Sequence, residues 1–213
     1  MLSNDPLERV VFTKFLGVFI DEHLTWDHHI AHCRKKISKG IYALNMSKHV
    51  LHQKHMKILY YSLIHPYILY GLRLWGNAIR KHLSKLEIMQ KKAIRAIVGA
   101  RYNAPSSPIF KHLNILKLTD MYEVQLKLFM YGFVNKTIPA PLLNIYEYHG
   151  DIHNHATRHS TDPKPPKVNS ELMRRSFLYT GPCLWLTLDD HIKSSKSKQI
   201  CKNRLIQSYV RHY

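Results

Sequence analysis

Residues Arg80 to Val98 read RKHLSKLEIMQKKAIRAIV, and this stretch decides the fold class. At 100° per residue, Leu83, Leu86, Ala93, Ile94 and Ile97 fall within one arc of about 100°. Lys81, Lys85, Lys92 and Arg95 fall on the opposite arc. The pattern predicts an amphipathic helix with an apolar front and a basic back, ended by Gly99. Ile88 sits among the cations as an exposed apolar residue.

Upstream the same periodicity recurs. From Asp27 to about Ser47, Ile30, Cys33, Ile37, Ile41 and Leu44 repeat at steps of three and four, with Lys35, Lys36 and Lys39 turned away from them. A second helix is expected from about His52 to Leu74, kinked near His65 because Pro66 removes a backbone donor. Its least charged part, ILYYSLIHPYILYGL from Ile58 to Leu72, is shorter than the roughly 20 residues that a membrane span requires, and reads as a buried helix. Val10 to Ile20, VVFTKFLGVFI, is rich in β-branched and aromatic residues and reads as a strand or half of a hairpin.

Downstream, Ser107-Pro108 looks like an N-cap followed by a first-turn proline, opening a short helix to about Leu116. Asp120-x-x-Glu123 resembles a capping box for a further helix to about Asn135. Residues His149 to Val168 are polar and rich in His and Pro, a linker by composition. An apolar run from Phe177 to Leu188 and a basic, amphipathic last helix complete the chain, with Asp189-Asp190 positioned to cap that helix. The expected fold is therefore mainly α: a short N-terminal strand or hairpin, a bundle of amphipathic helices, and an extended C-terminal tail with a last helix.

The 213 residues carry 32 Lys and Arg against 14 Asp and Glu, a formal charge of +18, with 45% hydrophobic residues. So much apolar matter excludes a wholly disordered chain, and so much charge calls for an anionic partner. Between Asp27 and Arg101 there are fifteen basic residues and two acidic ones, so most of the surplus lies in the first three helices and not in a tail. Only Glu87, beside Lys91, is spaced to relieve the repulsion along the third helix. Membrane-surface helices carry Trp, Phe and Leu on the apolar face, whereas Leu, Ala and Ile of core type occur here, so nucleic acid is favoured over membrane.

Cys33, Cys183 and Cys201 form no disulfide or zinc spacing and suit a reducing compartment. MLSNDPLERV lacks a secretory pattern, so the expectation is an intracellular protein, nuclear or cytoplasmic. His28, His29, His32 and Cys33, and the run His149, His153, His155 and His159, are the best metal candidates; His28 with His32 and His29 with Cys33 share a helix face at i, i+4, yet neither pair has a third ligand implied by its spacing. No metal, no cofactor and no catalytic residue is expected, since nucleotide-cradling glycine loops, nucleophile elbows and partnered carboxylates are all missing from the sequence.

Several blocks, taken in order, carry a resemblance. They are Lys14 to Asp21 (KFLGVFID) with Leu24-Thr25-Trp26 and His29-Ile30; Leu59 to Pro66 (LYYSLIHP) with Tyr70-Gly71 and Leu74-Trp75-Gly76; and Leu86 with Gln90 to Arg95 (QKKAIR). Pro108-Ile109-Phe110, Leu113, Ile115-Leu116, Leu118 and Asp120 follow, then Thr157-Arg158, Gly181-Pro182 and Leu184-Trp185. This ordered set resembles the reverse transcriptases of non-LTR (LINE-type) retrotransposons, in the segment just after their catalytic palm, from about residue 10 to near the end of the chain.

The resemblance implies residues 1–26 as the end of the palm, 27–148 as a thumb-like helical domain, 149–170 as the linker, and 171–213 as a C-terminal segment with a terminal helix. It also implies a fragment without polymerase activity of its own. Two-metal nucleotidyl transfer needs clustered carboxylates, which the family carries upstream, so Mg²⁺ is expected only for the intact polymerase. Thr187-Leu188-Asp189-Asp190 mimics the family's catalytic turn but lies after the thumb. The implied partner is an RNA–DNA or RNA duplex, gripped at its phosphates by Lys81, Lys85, Lys92 and Arg95, with Lys35, Lys36, Lys39, Lys91 and Arg101 assisting. The missing palm is a second implied partner, and apolar surface that it would cover favours self-association. The competing reading is a helical protein-interaction module whose charge serves solubility.

Overall fold

A computed structural model describes residues 9–148, Gly150 and residues 162–213. Val10 to Ile20, read as a strand or half of a hairpin, holds the first strand of a hairpin and most of the second. Strand β1 (Phe12–Phe15) runs antiparallel to β2 (Val18–Asp21), with Phe15 opposite Val18 and Phe12 opposite Asp21. Leu16 and Gly17 make the turn with φ of 45° and 83°. Positive φ at both central residues is the turn geometry that matches strand twist, and Leu-Gly is an uncommon pair for it, so the sequence hid the reversal. Every β1 residue is exposed, while Val18 and Asp21 of β2 are buried.

The described residues are mainly helical and form two compact units. The first comprises the residues up to Gly71 together with Ala78–Ile97, and the second Leu72–Asn77 with the chain from Val98 onward. The helical stretch 27–148 therefore contributes to both.

In the first unit, α1 (Asp27–Ser47) packs on α2 (Gln53–Leu63), α3 (His65–Leu69) and, beyond the excursion Leu72–Asn77, a long helix Arg80–Ile97. The apolar positions read from the sequence of that long helix, Leu83, Leu86, Ala93, Ile94 and Ile97, are all buried. The expected His52–Leu74 helix is instead broken twice. Ile64 leaves helical geometry (φ −122°) just before Pro66 in the first turn of α3, and Gly71 takes φ of 65° before α4 (Leu72–Trp75). Nor is the Ile58–Leu72 run buried throughout: Tyr60, Ile64, Ile68 and Leu72 are sealed at steps of four, while Ile58, Tyr61, Tyr67 and Tyr70 are exposed. The helix Arg80–Ile97 is α5 below.

Gly40 lets α1 approach closely, since a Cβ there would lie 2.7 Å from Ile64 Cγ1 and 3.0 Å from the Leu63 carbonyl oxygen. Asp21 organises the entry to α1. Its Oδ1 accepts the Thr25 N–H (2.9 Å) and its Oδ2 the Trp26 N–H (2.8 Å). Burial alone raises this carboxyl's pKa, but the N–H donors of Thr25, Trp26 and His23 outweigh it and hold the group below its usual value of 3.8.

The second unit is built on α7 (Leu118–Val134), preceded by α6 (Ser106–Leu113). Helix α7 is buried on nearly every side, from Leu118 and Met121 to Met130 and Phe133. Its partners are α4, α9 (Phe177–Leu186) and α11 (Lys198–Arg211), with α8 (Glu171–Arg175) and α10 (Asp190–Lys193) between. The C-terminal segment thus holds three helices besides the last one, and α9 and α11 lie against α7. Gly181 admits the contact, because a Cβ there would meet Met130 Sδ at 3.0 Å and Tyr146 Oη at 3.2 Å.

Three caps differ from expectation. Helix α6 starts at Ser106 with Pro105 as its cap residue, so Ser107 and Pro108 lie inside the helix. Helix α7 starts at Leu118, which places Asp120 within its first turn, where it accepts the Tyr213 hydroxyl instead of capping. Asp189 precedes the four-residue α10 without a side-chain cap bond, and Ser197, accepting the Ile200 N–H at 3.3 Å, caps α11. Of the three, only α11 gains a side-chain cap, from the Ser197 hydroxyl; α6 and α7 begin without one. The central linker residues, with His149, His153, His155 and His159, lie outside the described residues. No described helix is long and apolar enough to cross a membrane.

Candidate nucleic-acid interface

The cations of α5 lie along one outward stripe because its opposite face is consumed by the core. Lys81 and Lys92 are exposed, Lys85, Lys91 and Arg95 are half-buried, and Ile88 stands among them 52% exposed. Glu87, expected to relieve Lys91, does not. It takes a two-pronged pair from Arg80, Nη1 to Oε1 at 2.6 Å and Nη2 to Oε2 at 3.1 Å. Asp27, the other carboxylate of this stretch, lies 2.8 Å from His82 Nδ1. Among the described residues, no carboxylate forms an ion pair with Lys81, Lys85, Lys91 or Lys92.

On α1, Lys35 and Lys39 are exposed and oppose the buried positions Ile30, Cys33, Ile37 and Leu44. Since α1 and α5 pack on each other through their apolar faces, these two sets of cations point outward from a shared core on two separate surfaces. Arg101, exposed, belongs to the second unit.

Lys36 turns elsewhere. It lines a concavity of about 530 Å³ between the hairpin turn, α1 and the Pro66 segment, together with Lys14, His32, Tyr67 and Tyr70. Sequence reading missed this pocket because its walls come from three distant segments. His29 and Cys33 form its buried wall: His29 Nδ1 accepts the Phe19 N–H at 3.4 Å, and its Nε2 lies 3.5 Å from Cys33 Sγ. Burial, and secondarily His32, lowers His29 to about 4, so it is neutral; burial pushes the Cys33 thiol up to about 12. His32 is held below its ordinary value by burial first, then by Lys36, Lys14 and Lys35. His28 stacks on Phe12 with ring centres 4.1 Å apart.

Among the described residues, no three His, Cys, Asp or Glu side chains gather closely enough to hold a metal ion. Asp189 and Asp190 are both exposed.

No protein-family model matches the chain, and no solved structure matches it. Curated relatives do. Over 112 residues, half of this chain, it is 30% identical to the RNA-directed DNA polymerase from mobile element jockey of Drosophila melanogaster, covering 12% of that protein. From the same organism, the probable RNA-directed DNA polymerases from transposon X-element and transposon BS are 25% identical over 122 residues and 26% over 118, each with 13% of its length covered. The chain thus spans about an eighth of the length of the curated relatives it matches, and over about half of itself it is similar to RNA-directed DNA polymerases of non-LTR retrotransposons.

Proposed function

We propose that the chain is a non-catalytic segment of a non-LTR element's RNA-directed DNA polymerase, and that it holds template-primer nucleic acid by its phosphates. The single observation that supports this most is the α5 stripe: Lys81, Lys85 and Lys92 on one face, without a carboxylate partner among the described residues, on a helix whose other face is core. Cations left mutually repelling on a rigid helix are relieved by a polyanion. Lys91 and Arg95 flank the stripe, and Lys35, Lys39 and Arg101 add basic surface on other faces. Contacts of this kind read backbone shape and not base sequence, which suits an RNA–DNA or RNA duplex.

The exposed apolar residues of the hairpin, Val10, Val11, Phe12, Phe15 and Leu16, support a second partner, the palm of an intact polymerase. In its absence they favour self-association. They are also the observation that favours the rival reading, a protein-interaction module.

Titrating duplex against salt tests the proposal. Affinity falls linearly on log-log axes with a slope of about −0.9 per phosphate neutralised on a B-form duplex. A slope near zero removes the nucleic-acid reading and leaves the rival one. Primer extension with Mg²⁺ tests the non-catalytic part, and incorporation above a heat-killed control overturns it.

A further inference from the structure

We propose that the pocket between the hairpin turn, α1 and the Pro66 segment binds a mononucleotide unit, with its phosphoryl group on Lys14, Lys36 and His32 and its base against Tyr67 and Tyr70. The proposal goes beyond duplex binding by α5, since none of the α5 lysines lines this pocket.

The charge of the lining selects an anion. Lys14 comes from β1, His32 and Lys36 come from α1, and no carboxylate is among the lining residues. The ammonium groups of Lys14 and Lys36 repel a metal cation and are wasted on an apolar ligand, whereas a phosphoryl group offers each an acceptor and can take an N–H from neutral His32 as well, which packs beside Lys14 on the Phe19 ring. At about 530 Å³ the space far exceeds a bare phosphate ion and falls within the usual size of a small-molecule site.

The remaining walls suit a planar ring. Tyr67 and Tyr70 line the pocket and are 37% and 56% exposed, and bases stack on aromatic side chains whatever their identity. Tyr70 is held in place, its hydroxyl donating to the Leu16 carbonyl oxygen in the hairpin turn. Gly17 shapes that turn through its φ of 83°, a conformation that favours glycine, and lies against the Tyr70 ring. Ser62 donates its hydroxyl to the Ile58 carbonyl at 2.9 Å and so presents only acceptor capacity to a base or sugar.

The test is calorimetric titration of the full chain with adenosine 5′-monophosphate. Saturable binding to one site is expected, weakened roughly tenfold by Lys14→Gln or Lys36→Gln, since each removes a charge-assisted hydrogen bond. Tyr67→Ala is expected to weaken the monophosphate and leave inorganic phosphate unaffected, while Lys92→Gln changes neither. Far-UV circular dichroism confirms that each variant is folded. Absence of saturable binding, equal weakening by Lys92→Gln, or equal binding of adenosine or of inorganic phosphate alone overturns the proposal. In a Lys81→Gln, Lys85→Gln, Lys92→Gln background, an oligonucleotide with a terminal phosphate that competes more tightly than the free monophosphate assigns the site to a strand end. The reverse order assigns it to free nucleotide. Because that background removes the α5 stripe, failure of duplex binding and failure of the pocket are read separately.

Discussion

Gln90 donates its side-chain amide to the Tyr60 hydroxyl at 3.0 Å, joining α5 to α2, and both residues are sealed from solvent. Two polar groups in a core cost little while paired and much when separated. Tyr60→Phe leaves the amide short of an acceptor and is expected to destabilise by about 1–3 kcal/mol in urea unfolding. Adding Gln90→Leu recovers part of that loss, as shape-matched apolar partners do. An additive double variant would show the pair to be uncoupled.

The α5 stripe predicts a graded electrostatic response. Replacing Lys81, Lys85 or Lys92 by Gln is expected to flatten the salt slope of duplex binding by about 0.9 each, with folding unchanged because these side chains point away from the core. Arg80→Gln breaks the pair with Glu87 and frees a carboxylate among the lysines. It therefore weakens binding by more than the loss of one distant cation, as gel retardation at fixed salt would report.

Two carboxylates respond to acid with opposite signs. Burial raises Asp21, but the N–H donors from Thr25, Trp26 and His23 prevail and hold it below 3.8, so its contribution is full above that value and is lost as pH falls through the lowered one. Asp120 is raised, chiefly by burial, against the lowering effects of Tyr213, Lys117 and Thr119. Its favourable contribution is therefore full below 3.8 and is lost as pH rises through the raised value. Asp21→Asn should cost stability at pH 7 and shrink the acid-induced loss, whereas Asp120→Asn should be the better tolerated of the two at pH 7. Urea midpoints from pH 3 to 7 distinguish them.

Gly40 is fixed by space. Alanine there gains up to about 1 kcal/mol of helix propensity, yet its methyl enters 2.7 Å from Ile64 and 3.0 Å from a backbone oxygen. Overpacking costs typically about 1–3 kcal/mol, so Gly40→Ala is expected to lower the thermal midpoint. An unchanged or raised midpoint would show that α1 shifts freely.

Thiol labelling gives a simple check of the packing. Cys33 and Cys201 are buried and Cys183 is partly exposed, and burial holds the Cys33 thiol protonated at neutral pH. One equivalent of an aromatic disulfide reagent should react quickly under native conditions, and Cys183→Ser should abolish that phase.

Helices α1 and α5 were legible because Leu83, Leu86, Ile94 and Ile37 repeat at helical spacing and because burial of that face is what stabilises such helices. The hairpin was half legible: β-branched residues announced strands, but a left-handed Leu16 gave no turn signal. Caps failed locally: α6 begins at Ser106 without a side-chain cap, and Ser197, not Asp189, caps the last helix. Charge spacing suggested Lys91 for Glu87, but the longer reach of Arg80 across two turns won. The pocket was illegible because Lys14, Lys36 and Tyr70 meet only once the hairpin folds back on α1.

Helix α7 has almost no solvent face of its own, and the cover comes in large part from α9 and α11, as the Met130, Phe133, Trp185 and Leu205 cluster shows. A premature stop codon before Ser170 would therefore strip the scaffold helix bare. The shortened product would be insoluble, so the last forty-odd codons determine whether the polypeptide can be recovered from cells at all.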